Sequence, residues 1–148
     1  MKISAKGRYG LAAMSHIAAN CQTGSPITII SIAEKLGISK IYLEQVFSLL
    51  KRAKLVTSIK GAQGGYQLPR APKDISVYDI LAAIELAFVE KTETTVAEQA
   101  PALDKAMRAA IFDVIDDTLE KTLSKISLQD ILTETEQQKS VGELMYFI

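Results

Sequence analysis

The sequence predicts a mainly α-helical fold with one small β-hairpin. Three observations lead to this fold class. Two short helical patterns meet at a tight turn, a glycine-rich hairpin follows them, and basic residues are concentrated in the half of the chain that holds both. Together they predict a winged helix-turn-helix DNA-binding domain over residues 1–85. A connecting loop over 86–101 and a dimerisation helix with a C-terminal tail over 102–148 should follow.

The first predicted helix begins after Ser4, which can act as its N-cap, and runs to about Asn20. Lys6 and Arg8 lie in its first turns, where the helix dipole disfavours cations. This local cost is explained if a DNA phosphate binds at the helix N-terminus, which is an anion-binding position. The alternative is that both side chains extend into solvent.

The helix-turn-helix is predicted from two apolar stripes. Ile32, Ala33 and Leu36 recur at helical spacing before Gly37, a predicted left-handed C-terminal cap. Ser39 is the predicted N-cap of the second helix, the recognition helix. Its buried stripe should consist of Leu43, Val46, Phe47 and Leu50. Its other side carries side chains suited to DNA contacts, namely Ser39, Lys40, Tyr42, Glu44, Gln45, Ser48 and Arg52.

Glu44 is the one acid of this recognition helix, in a basic surrounding. A carboxylate near phosphates is repelled unless it finds hydrogen-bond donors, and the cytosine amino group in the major groove is such a donor. Glu44 is therefore predicted to select a base, or alternatively to pair with Lys40 or Lys51. Tyr42 can contact a phosphate or a thymine methyl, or pack at the edge of the helix.

A β-hairpin should follow the recognition helix. Residues 55–60 and 66–68 have the composition of short strands, and glycines are dense between them. Lys60 at the tip of this wing can reach the minor groove or the DNA backbone, and Gly61 and Gly64 permit a close approach. These glycines do not form a nucleotide-binding loop, because they join strand to strand and no Gly-Lys-Ser/Thr follows.

The net charge of zero hides a division along the chain. Residues 1–73 hold 11 Lys/Arg and 2 Asp/Glu, a balance of +9, whereas residues 74–148 hold 6 and 15, a balance of −9. A basic half is the electrostatic footprint of phosphate binding, and the acidic half should face away from DNA. Charge runs are also common on ordinary solvated surfaces, but here the basic half coincides with the helix-turn-helix.

The C-terminal half is predicted to form the dimer. A short helix over residues 77–86, capped by Ser76, should pack on the winged domain. A longer helix over 102–126 has an apolar arc wider than one packing surface needs. We expect this arc to pack partly on its own subunit and partly across a two-fold axis. The predicted interface residues are Leu103, Met107, Ile111, Val114, Ile115 and Leu119. The alternative is a wholly intramolecular core helix.

Several other function classes have little support. With one His and one Cys at these positions, the chain cannot form a Ser/His/Asp or Cys/His catalytic site, and no residues have the spacing of metal ligands. We therefore predict no enzyme activity. Cys21 is a candidate redox residue, but its place at a helix C-terminus disfavours the thiolate, so an inert residue is the better interpretation. A single cysteine and the lack of a membrane-spanning run or signal peptide favour a cytoplasmic protein, and operator-type DNA binding favours a bacterial one.

Three motifs at matching separations resemble the Rrf2 family of bacterial transcriptional regulators. They are residues 1–11 (MKISAKGRYGL), 42–45 (YLEQ) and 60–68 (KGAQGGYQL). The resemblance covers roughly residues 1–85 and implies a homodimer on a palindromic operator of double-stranded DNA. It also implies that residues 42–45 read bases and that the wing touches the minor groove; several relatives have arginine at the position of Lys60.

Many members of this family hold an iron–sulfur cluster through three cysteines in the loop before the dimerisation helix. Here residues 88–100 contain no Cys and no His, so the sequence predicts no cluster and no other cofactor. The resemblance is therefore greatest to the cluster-free, CymR-like branch. This branch implies control of cysteine or sulfur metabolism, with repression as the expected mode.

The chain ends in the apolar residues Met145, Tyr146, Phe147 and Ile148. Relatives of the CymR-like branch end similarly and are associated with cysteine synthase, whose active site accepts chain termini that end in Ile. A second hypothesis follows from that resemblance, in which Tyr146, Phe147 and Ile148 dock on a metabolic enzyme. The alternative is that the tail packs on the dimer.

Overall fold

The computed structural model describes residues 3–146, and it confirms the predicted fold class. Over this range the helices are α1 (Ala5–Ala19), α2 (Ile29–Leu36), α3 (Lys40–Arg52), α4 (Val77–Ile84), α5 (Pro101–Met107), α6 (Asp113–Ser124) and α7 (Leu128–Tyr146). The strands are β1 (Thr57–Ile59) and β2 (Gly65–Gln67). A π-helical segment, Arg108–Phe112, joins α5 to α6. Residues 101–124 are thus continuously helical and are called the long helix below.

Helices α1 and α2 form as their sequence signals predict. The Ser4 hydroxyl accepts the Gly7 N–H at 3.1 Å, which satisfies one of the amides that a helix N-terminus leaves unpaired. The stripe of α1 enters the core through Met14, Ile17 and Ala18. Helix α2 ends at Gly37, whose φ of +66° is the left-handed conformation that glycine adopts without cost.

Helix α3 buries its predicted stripe, since Leu43, Val46, Phe47 and Leu50 are all fully buried. Ser39 occupies the N-cap position, but its side chain makes no capping hydrogen bond. The predicted position of the N-cap is therefore correct, but the Ser39 side chain does not cap the helix, and this residue is exposed.

The hairpin is confirmed, with strands shorter than predicted. β1 and β2 pair antiparallel with Thr57 opposite Gln67, whereas Leu55 and Val56 enter the core instead of the sheet. Ile27 and Tyr66 exchange backbone hydrogen bonds of 2.9 and 2.8 Å, which tie the wing to the segment before α2. A Cβ on Gly65 would lie 2.6 Å from the Ile27 carbonyl oxygen, so this close approach requires glycine.

The C-terminal half differs from expectation in two places. Ser76 and Asp79 form a capping box on α4, as its predicted N-terminus requires, but α4 ends at Ile84 rather than at residue 86. Helix α7 was not predicted. Leu128 is fully buried, and Ile131 and Leu132 pack beside it on the core, whereas residues 133–146 are exposed. The tail is thus helical as far as Tyr146; Phe147 and Ile148 lie outside the described residues.

Candidate nucleic-acid interface

The side of α3 opposite its buried stripe is accessible along its whole length. Every side chain that the sequence assigned to this surface is exposed: Ser39, Lys40, Tyr42, Glu44, Gln45, Ser48 and Arg52. An α-helix with such side chains fits the major groove of DNA, where amides, guanidinium groups and carboxylates can hydrogen-bond to base edges.

Two aromatic contacts fix α3 between α1 and the wing. The rings of Tyr9 and Tyr42 meet edge to face with centroids 5.6 Å apart. The rings of Phe47 and Tyr66 lie 4.5 Å apart and connect the buried side of α3 to β2. Aromatic pairs of this kind stabilise by about 0.5–1.5 kcal/mol beyond burial. No individual role was predicted for Tyr9 from the sequence. In the structure it holds the start of α1 next to the exposed surface of α3.

Glu44 pairs with Lys40 in the DNA-free chain. The Lys40 Nζ and Glu44 Oε1 atoms are 3.7 Å apart, and both side chains are more than half exposed. Exposed pairs at this helical spacing contribute only about 0.3–0.5 kcal/mol. The pair predicted as the alternative for Glu44 thus exists, but it is weak enough for a base edge to replace it.

The N-terminus of α1 holds a contact that the sequence did not reveal. The Ser4 N–H and hydroxyl both donate to Glu85 Oε1, at 2.7 and 2.6 Å, where Glu85 follows the last residue of α4. Arg8 Nη1 donates to the Ile3 carbonyl oxygen at 2.8 Å, and Lys6 is exposed. A carboxylate of the chain therefore already lies where a phosphate was expected, so DNA would meet the side chains of Lys6 and Arg8.

The wing tip presents Lys60 and Gly61 to solvent, and Gly64 is half-buried. Gly61 has a φ of +109°, a conformation that side chains other than glycine rarely adopt. The structure thus leaves Lys60 accessible at the end of β1, as minor-groove or backbone contact requires.

The long helix exposes the predicted interface residues to different degrees. Leu103, Ile111, Val114 and Ile115 are between 47% and 55% exposed, and Met107 and Leu119 are half-buried. Helix α6 packs beside α4. Burial, then the carboxylate of Glu120 on α6 and that of Asp79 on α4, raise the pKa of Tyr78. One side of the long helix therefore packs on its own subunit, and an apolar side remains uncovered in the single chain.

The chain does not supply the ligands of an iron–sulfur cluster. Its single Cys and single His, Cys21 and His16, both belong to the α1 region, away in sequence from the loop over 88–100. Burial, and then the positive charge of Lys35, lower the pKa of His16. Within residues 3–146 no group of three His, Cys, Asp or Glu side chains is placed to hold a metal ion. Since clusters need thiolates or imidazoles, the donor set does not fit such a group.

The comparisons with known proteins agree on one family. The model of the Rrf2 family, described as an iron-dependent transcriptional regulator, matches residues 3–134. The HTH-type transcriptional regulator IscR of Photorhabdus laumondii is 34% identical over 92% of this chain and 82% of its own length. None of the helices within residues 3–146 is long and apolar enough to cross a membrane.

Two solved structures resemble this fold closely. CymR, the global cysteine regulator of B. subtilis, is 35% identical, with a TM-score of 0.74 over 90% of this chain and 98% of the CymR chain. IscR of T. potens is 36% identical, with a TM-score of 0.71 over 93% and 90% of the two chains. The likeness therefore spans both halves of the molecule.

Proposed function

Because the chain belongs to the Rrf2 family of DNA-binding transcriptional regulators, we propose that it acts as a homodimeric repressor on a palindromic operator. In this proposal the protein itself holds no iron–sulfur cluster. The observation that carries this proposal is the exposed side of α3, held by aromatic contacts between the start of α1 and the wing. In this arrangement α3 reads bases in the major groove, while Lys6, Arg8 and Lys60 contact the flanking backbone.

A dimer is supported by the uncovered apolar side of the long helix. Four large apolar side chains at about half exposure along one helix are costly in water and are typical of a surface that meets a partner. Two-fold symmetry would place two copies of α3 on two half-sites, which explains why a palindrome is expected.

The cluster-free branch is supported by the donor chemistry of residues 88–100 and by the likeness to CymR. That relative is named as the global cysteine regulator of B. subtilis, and control of cysteine or sulfur genes in the cytoplasm is proposed here by analogy.

Selection from a randomised duplex pool tests the proposal directly. The protein, purified without added metal, should enrich one palindromic sequence whose half-sites are about one or two helical turns apart. Enrichment of no sequence above the starting pool, or of single half-sites only, would contradict it. Mapping bound sites in the genome should then identify the regulated genes.

Glu44→Ala should relax base discrimination at one position in each half-site by about 1–3 kcal/mol, roughly 5–150-fold. The carboxylate is exposed and its Lys40 partner contributes little, so folding should be unaffected. Affinity for unrelated DNA should stay equal or rise, because a negative charge leaves the phosphate surroundings. Competition binding with duplexes that carry each of the four base pairs at every position measures the effect.

Glu34→Ala is the matched control for that experiment, since Glu34 is the other acid of residues 1–73 and is exposed on α2. It should leave the base preference unchanged. Lys6→Ala should weaken all duplexes alike, as a phosphate contact does. A uniform loss on Glu44→Ala would instead assign Glu44 a structural role.

A second candidate function concerns the C-terminal tail. Met145 and Tyr146 are 71% and 86% exposed, so neither of these two side chains is part of the core. The docking hypothesis requires that the carboxylate of Ile148 is captured in a pocket of backbone N–H donors, a known mode of recognition of chain termini. We therefore keep docking on cysteine synthase as a hypothesis, with Tyr146, Phe147 and Ile148 as the docking residues.

Removal of residues 145–148 should abolish binding to cysteine synthase and shift the melting temperature by no more than about 2–4 °C, since Met145 and Tyr146 are exposed and exposed side chains contribute little to stability. Calorimetric titration and thermal unfolding of the same truncated protein measure both quantities. Deletion of Ile148 alone should give the same loss of binding. The docking hypothesis fails if the intact chain does not bind the enzyme.

A further inference from the structure

The segment between Phe88 and Pro101 is fastened to the long helix by hydrogen bonds. Asp104 lies one turn into that helix and is only 6% exposed, the one buried charged residue within residues 3–146. Its Oδ1 atom accepts the backbone N–H of Thr95 at 2.9 Å and that of Val96 at 3.1 Å. The N–H group of Thr95, and then that of Val96, lower the pKa of Asp104 against the opposing effect of burial.

A second group of contacts holds the same segment one to three turns further along. The Arg108 guanidinium donates to the Thr92 carbonyl oxygen and to the Asp113 carboxylate, the latter at 3.3 Å. Asp116 accepts the Thr92 N–H at 3.2 Å. The π-helical segment begins at Arg108, and such segments often mark functional positions in helices. Three backbone positions of the segment are thus bound to one helix.

We propose that Asp104 is a positioning residue that locks residues 92–96 onto the long helix and thereby sets the orientation of this helix relative to the winged half. The segment covalently connects α4 of the winged half to the long helix, and fastening residues 92–96 to that helix shortens the connection that remains between the two halves. In the proposed dimer, this orientation determines the distance between the two α3 helices. The inference rests in this respect on the proposed function.

The hydrogen bonds that hold residues 92–96 on the long helix, called the lock below, are made by groups of the chain itself. The family model is described as iron-dependent, yet the polar side chains bound to this segment are carboxylates and a guanidinium. Such oxygen donors suit hard cations and not a cluster. Moreover, Asp104 Oδ1 already accepts two N–H groups, so its lone pairs are used within the protein. The hydrogen bonds of the chain itself therefore hold this segment on the long helix.

Amide hydrogen exchange of Thr95 and Val96 tests the lock without DNA. In the presence of an iron chelator the full-length wild-type protein should protect both amides. Asp104→Ala should lower this protection by about tenfold or more, because the amides lose a charged acceptor. Asp104→Asn keeps an acceptor oxygen without the charge and should lie between the two. Asp117→Asn, an exposed carboxylate on the same helix, is the control and should match the wild type.

The hydrogen bonds from Thr95 and Val96 to Asp104 should depend on pH, because the Asp104 carboxylate can be protonated. A carboxyl group whose pKa is lowered by folding stabilises the folded state above the ordinary Asp value, and this contribution is lost as the pH falls through the lowered pKa. Protection of Thr95 and Val96 should therefore fall in acid for the wild type. In Asp104→Asn the same amides should show no such step; an identical step in both proteins would overturn the assignment to Asp104.

DNA binding tests the positioning role. The probes are the duplex that wild-type protein selects from a randomised pool and the same duplex with one half-site scrambled. Asp104→Ala should bind the full duplex about tenfold more weakly and the single half-site as well as wild type does, with Asp104→Asn intermediate. If Asp104→Ala lost affinity for both probes equally, the substitution would have damaged the winged half, and the inference would be overturned.

Two further outcomes are decisive. If Asp104→Ala exposes the amides but leaves affinity for the full duplex unchanged, the segment does not position the long helix and the inference is wrong. If wild-type protein selects no duplex, the proposed function fails, whereas hydrogen exchange still reports the lock. The two proposals are therefore distinguished by one set of variants.

Discussion

Affinity for the selected duplex should fall by about 10³–10⁵-fold between 50 and 200 mM salt, the range for proteins that make roughly 6–10 phosphate contacts. Each chain exposes five cations assigned to the DNA surface, which a dimer doubles: Lys6, Arg8, Lys40, Arg52 and Lys60. Each one that neutralises a phosphate releases a bound counterion, and added salt opposes that release. Equilibrium binding by fluorescence anisotropy across this salt series gives the slope.

Single cation variants make this test specific. Lys60→Gln removes two contacts from a dimer and should reduce the logarithmic salt slope by about 1.8. Lys121→Gln, an exposed cation in the acidic half, should leave the slope unchanged. A slope near zero, or equal effects of the two variants, would be incompatible with DNA binding through the basic half.

Ile111→Glu should convert the dimer to monomers that bind the operator weakly. Ile111 is about half exposed in the single chain, so a glutamate there is tolerated by the monomer fold. Across a two-fold interface, however, it would bury an unpaired carboxylate at a cost of about 3–5 kcal/mol, roughly 150- to 4,000-fold in dimer affinity. Each monomer would then read only one half-site.

Sedimentation analysis and binding to the full operator check this expectation. Lys121→Glu, which adds a carboxylate elsewhere on the long helix, is the control and should remain dimeric. If Ile111→Glu sediments as a dimer with unchanged operator affinity, the interface lies on another surface.

Local signals predicted the elements of the winged half well. The cap at Ser4, the left-handed Gly37 and the stripe through Leu43 and Leu50 each depend on neighbours within one or two turns. The exposed surface of α3 follows from the same stripe, because a helix that buries one side exposes the other.

The contacts that the sequence did not reveal are long-range or lie in a weakly patterned segment. Glu85 meets Ser4 across 81 positions, so no periodicity could indicate it. Helix α7 is apolar only near Leu128 and polar or mixed beyond, and its first turns are stabilised by packing on α1 and not by a continuous stripe. In the sequence, Asp104 resembles an ordinary surface acid. Only the folded structure shows that the N–H groups of Thr95 and Val96 lie beside it.

The division of charge also affects how the DNA-free protein behaves in solution. With a balance of +9 in one half, −9 in the other and an isoelectric point near 6.6, two molecules do not repel each other at neutral pH. The basic surface of one can instead attract the acidic surface of the next, and in dilute buffer this attraction extends over roughly 30 Å. DNA bound at the basic surface would block this attraction, so we expect the protein to be more soluble with DNA than without it in dilute buffer.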